Sequence, residues 1–187
     1  MAGRLRESKG HHLAVEAVTR ARRAGLDMRL DVFGGPVEAN LYAERLRWMI
    51  EEADAGDAVR LMGFCEDLRS RHQDYHLGLQ CRIDPEPCSV WVCEALTDGL
   101  PLIASASGGT PELVDDGVTG LLFRSGDTDD LTKKLIELSG APDRINAMRR
   151  AAYERSNTRL SVQRFINETL DSYAMIEAGG SGRGPRS

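Results

Sequence analysis

Apolar residues recur at helical spacing through Leu13, Ala14, Ala17, Val18 and Ala21, and the run stops at Gly25, which suits the left-handed position beyond a helix end. Residues 28–33 then read as a short strand closed by Gly34, Gly35 and Pro36, and helical spacing returns over 38–53 through Leu41, Leu46, Met49 and Ile50. Two more strands are expected at 59–62, closed by Gly63, and at 76–80, with a short helix after Asp67 between them. An irregular stretch with Pro85 and Pro87 follows. A helix is expected over 90–97, with Ser89 as its cap and Gly99 just past its end. Next come a strand at 102–104, a loop of Ser107, Gly108 and Gly109, and a helix to Val114 with Thr110 as cap and Pro111 as first residue. The turn at Asp115, Asp116 and Gly117 leads into a strand at 120–123. Leu131, Leu135 and Leu138 mark another helix, 142–155 a further one, and Val162, Phe165, Ile166, Thr169, Leu170 and Tyr173 form a stripe on a last one. Beyond Glu177 the Gly, Ser, Arg and Pro residues have nothing to bury, so 1–177 is read as one domain and 178–187 as a flexible tail.

Strands alternating with helices at these intervals call for an α/β fold with a parallel, doubly wound sheet, which binds ligands at the carboxyl ends of its strands. The loops at 34–36, 63–67, 84–89 and 105–110 all follow expected strands and converge on that edge. A nucleotide is the default ligand there.

Composition narrows the picture by exclusion. A chain of 187 residues with 41% hydrophobic content carries one ordinary core. No apolar stretch approaches the ~20 residues of a transmembrane segment, and no charged-then-apolar leader precedes Gly10, so a cytoplasmic protein is expected. The net charge of -5, with 24 basic residues spread along the chain, offers no stripe for nucleic acid. Cys65, Cys81, Cys88 and Cys93 have no C-x-x-C spacing and no His pair at metal-ligand intervals. Reduced, mostly buried thiols and no metal site are expected.

The sharpest chemical signal is D-P-E-P-C-S-V-W-V-C-E-A-L at 84–96, followed by G-L-P-L-I-A-S and S-G-G-T-P-E-L-V. It sets Glu86 on a loop before a helix and Glu94 in that helix's second turn. Between them the N–H groups near Ser89, Val90 and Trp91 form an unsatisfied helix end, a seat for phosphate oxygens. A carboxylate one or two turns into such a helix can accept hydrogen bonds from ribose hydroxyls. Two acids with an anion seat between them suit a sugar nucleotide.

With these segments the chain resembles the donor-binding, C-terminal domain of retaining GT-B glycosyltransferases, the glycosyl transferases group 1 family. That group includes sucrose-phosphate synthases, bacterial glycogen synthases and transferases of cell-surface glycan assembly. The resemblance covers roughly 3–175 and rests on two glutamates separated by seven residues, Glu86 and Glu94, with their flanking segments. It implies a Rossmann-like half of a GT-B fold that transfers a hexosyl unit from a nucleotide-sugar to a hydroxyl acceptor with retention, requiring no metal or cofactor. By resemblance, Glu94 holds the donor ribose and Glu86 contacts the transferred sugar. Arg4 and Lys9, in G-R-L-R-E-S-K-G, grip the diphosphate, and the backbone of Gly63 to Cys65 meets the base. The family's Phe-Gly is replaced here by Cys88-Ser89.

The other singled-out residues have plainer readings. Gly34, Gly35, Gly108 and Gly109 permit tight turns as readily as they contact a ligand. Glu112 complements a helix dipole, His11 and His12 are expected to be exposed, and Trp48 and Trp91 to pack. In the resembling family an apolar strand precedes the segment like Gly3-Arg4-Leu5, and here only Met1 and Ala2 do. The expectation is therefore a missing first strand and a missing N-terminal domain for the sugar or lipid-linked acceptor, leaving this chain inactive alone. The alternatives are a non-catalytic nucleotide-sugar-binding module or relic, and a GT-B epimerase or inverting transferase.

Overall fold

The computed structural model describes residues 1–35 and 41–180, with side chains described to 177. Pro36, the start of the helix expected over 38–53 and tail positions 181–187 lie outside the described residues. The elements run α1 (His11–Arg23), β1 (Leu30–Phe33), α2 (Leu41–Glu52), β2 (Val59–Gly63), β3 (Gly78–Gln80), α3 (Val90–Thr97), β4 (Leu102–Ser105), α4 (Thr110–Leu113), β5 (Gly120–Phe123), α5 (Thr128–Ser139), α6 (Pro142–Arg159) and α7 (Val162–Gly180), with 3-10 turns at Glu7–Lys9 and Arg69–Asp74. The alternation read from the sequence is present, and every strand pairing is parallel.

The strands form two sheets, β1-β2 and β3-β4-β5. Residues 1–3 run along the free edge of β1: Phe33 N–H donates to Met1 O at 2.9 Å and Gly3 N–H to Phe33 O at 2.9 Å. A buried carboxylate ties the first sheet to the approach of the second. Asp31 on β1 accepts from Arg60 at 2.8 and 2.9 Å and from the Tyr75 hydroxyl at 2.7 Å, three residues before β3. Burial opposes the charge on Asp31, but these hydrogen bonds outweigh it and hold its pKa below the usual carboxylate range.

One apolar core continues across both sheets. Leu13, Ala17 and Val18 of α1 pack with Val32, Val59, Leu79, Ile103, Leu121 and the α5 residues Leu131, Leu135 and Leu138, all buried. The second face holds a smaller cluster of Val92, Leu96, Leu100, Leu102, Val114 and Ala152. Helices on both faces of parallel strands make this a Rossmann-like layer architecture.

Several expectations are corrected. Thr110 is the first residue of α4 and Gly109 its cap. The helix expected to end at 155 runs on to Arg159, and residues 178–180, expected in the tail, are helical. His11 is fully buried rather than exposed, because Gly10 lies against Cys81, just past β3, and turns the first residue of α1 inward. Trp48 does not pack: 59% of it is exposed, on the outer face of α2. Among the cysteines only Cys81 is buried, whereas Cys88 is exposed at the start of α3.

Candidate functional site

β1 and β2 run parallel side by side, as do β3 and β4, so the loops that follow them lie in neighbouring pairs. Gly34 N–H donates to Gly63 O at 2.7 Å, joining the first two loops. The loop after β3 is placed by two glycines from the loop after β4. A Cβ on Gly108 would lie 2.4 Å from Glu86 O, and one on Gly109 would lie 1.9 Å from Pro87 O, so only glycine allows the approach. Gly109 N–H donates to Glu86 O at 2.9 Å. These two glycines therefore position the Glu86 backbone, and their turn-making and site-building readings are the same fact.

A cleft of about 190 Å³ opens between residues 1–3 and the exit of β3, lined also by Lys9, Arg82, Glu86, Cys88, Ser89 and Val90. Gly10 brings the start of α1 against Cys81, where a Cβ would meet Cys81 O at 1.9 Å, and so carries Lys9 to the cleft. Lys9 Nζ donates to both oxygens of Glu86, at 3.2 and 3.3 Å. Arg82 Nη1 donates to Oε1 of the same carboxylate at 3.3 Å, while its Nε is anchored on Asp84 O at 3.0 Å. All three side chains are 20–27% exposed, shielded enough that the pairing is less screened than at an open surface.

Across the cleft is the amino end of α3. Ser89 caps it in an extended conformation, yet its side chain makes no capping hydrogen bond. The first N–H groups of the helix are thus left for another acceptor, and the dipole favours an anion there. Cation, carboxylate and helix end together can bind a group that is anionic at one end and hydroxylated at the other.

Of the residues singled out from sequence, the structure brings Lys9, Glu86, Ser89 and Val90 to one cleft. Glu94 is half-buried one turn further along α3, and Gly63 and Cys65 lie at the end of β2, none of them on this wall. Arg4 is exposed and also outside it. Sequence reasoning missed Arg82 and Cys88 as wall residues. The signal for Arg82 was a cation four positions before Glu86, which means little where no helix imposes that spacing. Among the described residues no group of three or more His, Cys, Asp or Glu side chains could hold a metal ion.

Comparison with known proteins gives a consistent set of matches. A family model described as glycosyl transferases group 1 matches residues 1–155. Over 144 residues the chain is 31% identical to the amylovoran biosynthesis glycosyltransferase AmsK of Erwinia amylovora, covering 73% of this chain and 34% of that protein. It is 31% identical over 153 residues to a GDP-mannose-dependent alpha-(1-6)-phosphatidylinositol monomannoside mannosyltransferase of Mycolicibacterium smegmatis, covering 78% of this chain and 39% of that protein. The chain thus spans little more than a third of the length of these two relatives. Among solved structures, Anabaena Alr3699/HepE in complex with UDP shares the fold, with a TM-score of 0.82 at 24% identity over 91% of this chain and 47% of that one.

Proposed function

Since the chain belongs to the glycosyl transferases group 1 family, we propose that it is the donor-binding half of a retaining hexosyltransferase. Its substrate is a nucleotide-sugar, and its acceptor is a sugar or lipid-linked hydroxyl held by a counterpart domain. The observation that carries this reading is the Lys9–Glu86–Arg82 cluster facing the open amino end of α3 across one cleft. The solved neighbour named above holds UDP, and the mycobacterial relative uses GDP-mannose, which supports a nucleoside diphosphate here.

The donor's diphosphate lies at the N–H groups of Ser89 and Val90 and draws Lys9 toward it. Leaving Glu86 frees part of that carboxylate to accept hydrogen bonds from the sugar, while Arg82 keeps its orientation. As the bond to the anomeric carbon breaks, charge grows on the diphosphate, and Lys9 and the helix end stabilise it; Arg4, exposed outside the cleft, adds to this only by turning inward. The leaving oxygen takes the acceptor's proton on the same face of the sugar. Glu94, one turn along α3, holds the ribose, and the backbone from Gly63 to Cys65 meets the base. Catalysis rests on positioning and charge stabilisation, with no metal.

This half without its acceptor-binding counterpart has no turnover. We place its role in cell-surface glycan assembly on the cytoplasmic side; the name of AmsK, an amylovoran biosynthesis glycosyltransferase, supports a biosynthetic role. Among the described residues no helix is long and apolar enough to cross a membrane. Calorimetric titration with UDP, GDP and their hexose conjugates tests the proposal. Saturable binding of a nucleoside diphosphate, lost when Lys9 is changed to Ala, is expected; no binding across the panel sinks it.

A further inference from the structure

Cys88 and Cys93 stand at two special positions of α3. Ser89 is the cap, so Cys88 is the residue before the cap and Cys93 the fourth residue of the helix. These are the two places where apolar side chains ordinarily meet to fix the angle at which a chain enters a helix. Here that contact is made by two thiols, with their sulfurs 3.7 Å apart. Cys88 is exposed and on the wall of the cleft, and Cys93 is half-buried behind it. Cys65 and Cys81 make no such contact among the described residues.

We propose that Cys88 and Cys93 are an oxidisable thiol pair that a peroxide converts to a disulfide, locking the entry of α3 and closing the donor site to nucleotide. The consequence for nucleotide rests on the donor-site reading above; the disulfide does not. In the first step the exposed Cys88 sulfur attacks the peroxide O–O bond. Cys88 becomes a sulfenic acid and, for hydrogen peroxide, one water leaves. In the second step the Cys93 sulfur displaces the hydroxyl group, which departs as a second water with the Cys93 proton. Two thiols have then given two electrons and two hydrogens to one peroxide. Burial, with the neighbouring Cys88 thiol, pushes Cys93 up to about 11, so closure quickens as pH rises.

A disulfide needs its sulfurs about 2.05 Å apart, so they must close by more than 1.5 Å from the reduced contact, or roughly half the starting gap. The backbone of Pro87 and Glu86 is pinned against Gly108 and Gly109, so the strain falls on Cys88 and Ser89, where the free N–H groups of α3 begin. Glu94 directly follows Cys93 and shares the displacement. In a reducing compartment such a bond is transient, as a regulatory bond must be.

The test uses the 187-residue chain. It is treated with hydrogen peroxide, blocked with an alkylating agent and digested with trypsin. The peptide 83–124 holds Cys88 and Cys93 and no other cysteine, so its mass reports the pair alone. The expected product has lost two hydrogens, carries no alkyl group and reverts with dithiothreitol. Oxygen added to Cys88 without that product, or a bond from either cysteine to Cys65 or Cys81, overturns the proposal. Nucleoside diphosphate titration of the reduced and oxidised chain should show weakening of about fivefold or more, the lower end of ordinary coupling between sites. Cys93→Ala should make affinity insensitive to peroxide. A disulfide that leaves affinity unchanged overturns the control of the site. If the reduced chain binds no nucleotide at all, the donor-site reading fails while the peptide mass still decides the thiol pair.

Discussion

Glu86 is held by two cations that differ in what else they hold. Arg82 is tied to Asp84 O, whereas the Lys9 ammonium makes no other hydrogen bond among the described residues and can turn to a phosphate. On the proposed reading a carboxylate so placed serves the sugar and not the nucleotide. Glu86→Gln in the complete enzyme is therefore expected to lower kcat about 10- to 100-fold, the scale of one or two charged hydrogen bonds, with nucleoside diphosphate affinity nearly unchanged. Equal losses in both measurements would make Glu86 a nucleotide ligand. Glu94→Ala should do the reverse, weakening nucleoside diphosphate binding by roughly 1.5–3 kcal/mol; an unchanged titration removes the ribose assignment. A third residue acts on stability. The His11 ring is fully buried, with neither nitrogen in a hydrogen bond among the described residues. Burial lowers its pKa to about 4, tempered by the nearby backbone of Gly3 and Arg6. Between about 4 and the unfolded value of 6.5 the unfolded chain binds more protons, so this contribution is complete above 6.5 and lost as pH falls toward 4. At full extent it is about 3 kcal/mol. Urea unfolding from pH 7.5 to 4.5 should show the loss, and His11→Leu should flatten it; parallel curves for both proteins would refute the assignment.

At the scale of elements, what could be read from sequence was what a local period or a single turn residue decides. The α3 range 90–97 and the β5 range 120–123 agree with the structure to the residue, since Ser89, Gly99 and Gly117 punctuate them. The paired carboxylates and the helix end between them are also written in one short segment. What escaped depends on residues far apart in the chain. Arg82 reaches Glu86 only because Gly108 and Gly109 press the intervening loop into place. His11 read as exposed because its burial comes from Gly10 meeting Cys81, about seventy residues on. The thiol contact of Cys88 and Cys93 was legible in principle from their positions about the cap Ser89, but those positions ordinarily carry larger apolar side chains, so two cysteines there did not read as a pair. α5 shows how a cap sets an element: the Asp127 side chain accepts from Asp130 N–H at 2.8 Å, and its pKa is lowered chiefly by that backbone bond. α5 carries Leu131, Leu135 and Leu138 into the central core. Asp127→Ala should thus lower the midpoint of unfolding measurably, and Asp127→Asn much less. Chemical denaturation distinguishes them; equal losses would assign the effect to charge instead of the cap.

For the whole molecule, the stability resides in α1 to α6 and the two sheets, and α7 adds little to it. The stripe that periodicity placed on the last helix exists, but it faces outward. Val162 is 73% exposed, Phe165 71%, Leu170 60% and Tyr173 62%, while the core clusters contain no residue beyond Ala152. The side-chain hydrogen bonds of α7 stay local: Gln163 with Asn167, Arg164 with Glu168, Thr169 with Phe165 O, and Ser172 with Glu168 O, besides one from Arg164 to Arg159 O. A helix held by such pairs gains a few tenths of a kcal/mol from each, and lacks the burial that usually stabilises helices in proteins. An apolar stripe of this length also invites association. Removing residues 161–187 should therefore leave the unfolding free energy of the remaining chain within about 0.5 kcal/mol, as for changes that touch no core contact. The same removal should reduce binding of a hydrophobic dye and concentration-dependent light scattering. A loss of several kcal/mol on truncation would show instead that α7 folds onto the α1 to α6 body in solution, covering the stripe that stands exposed here.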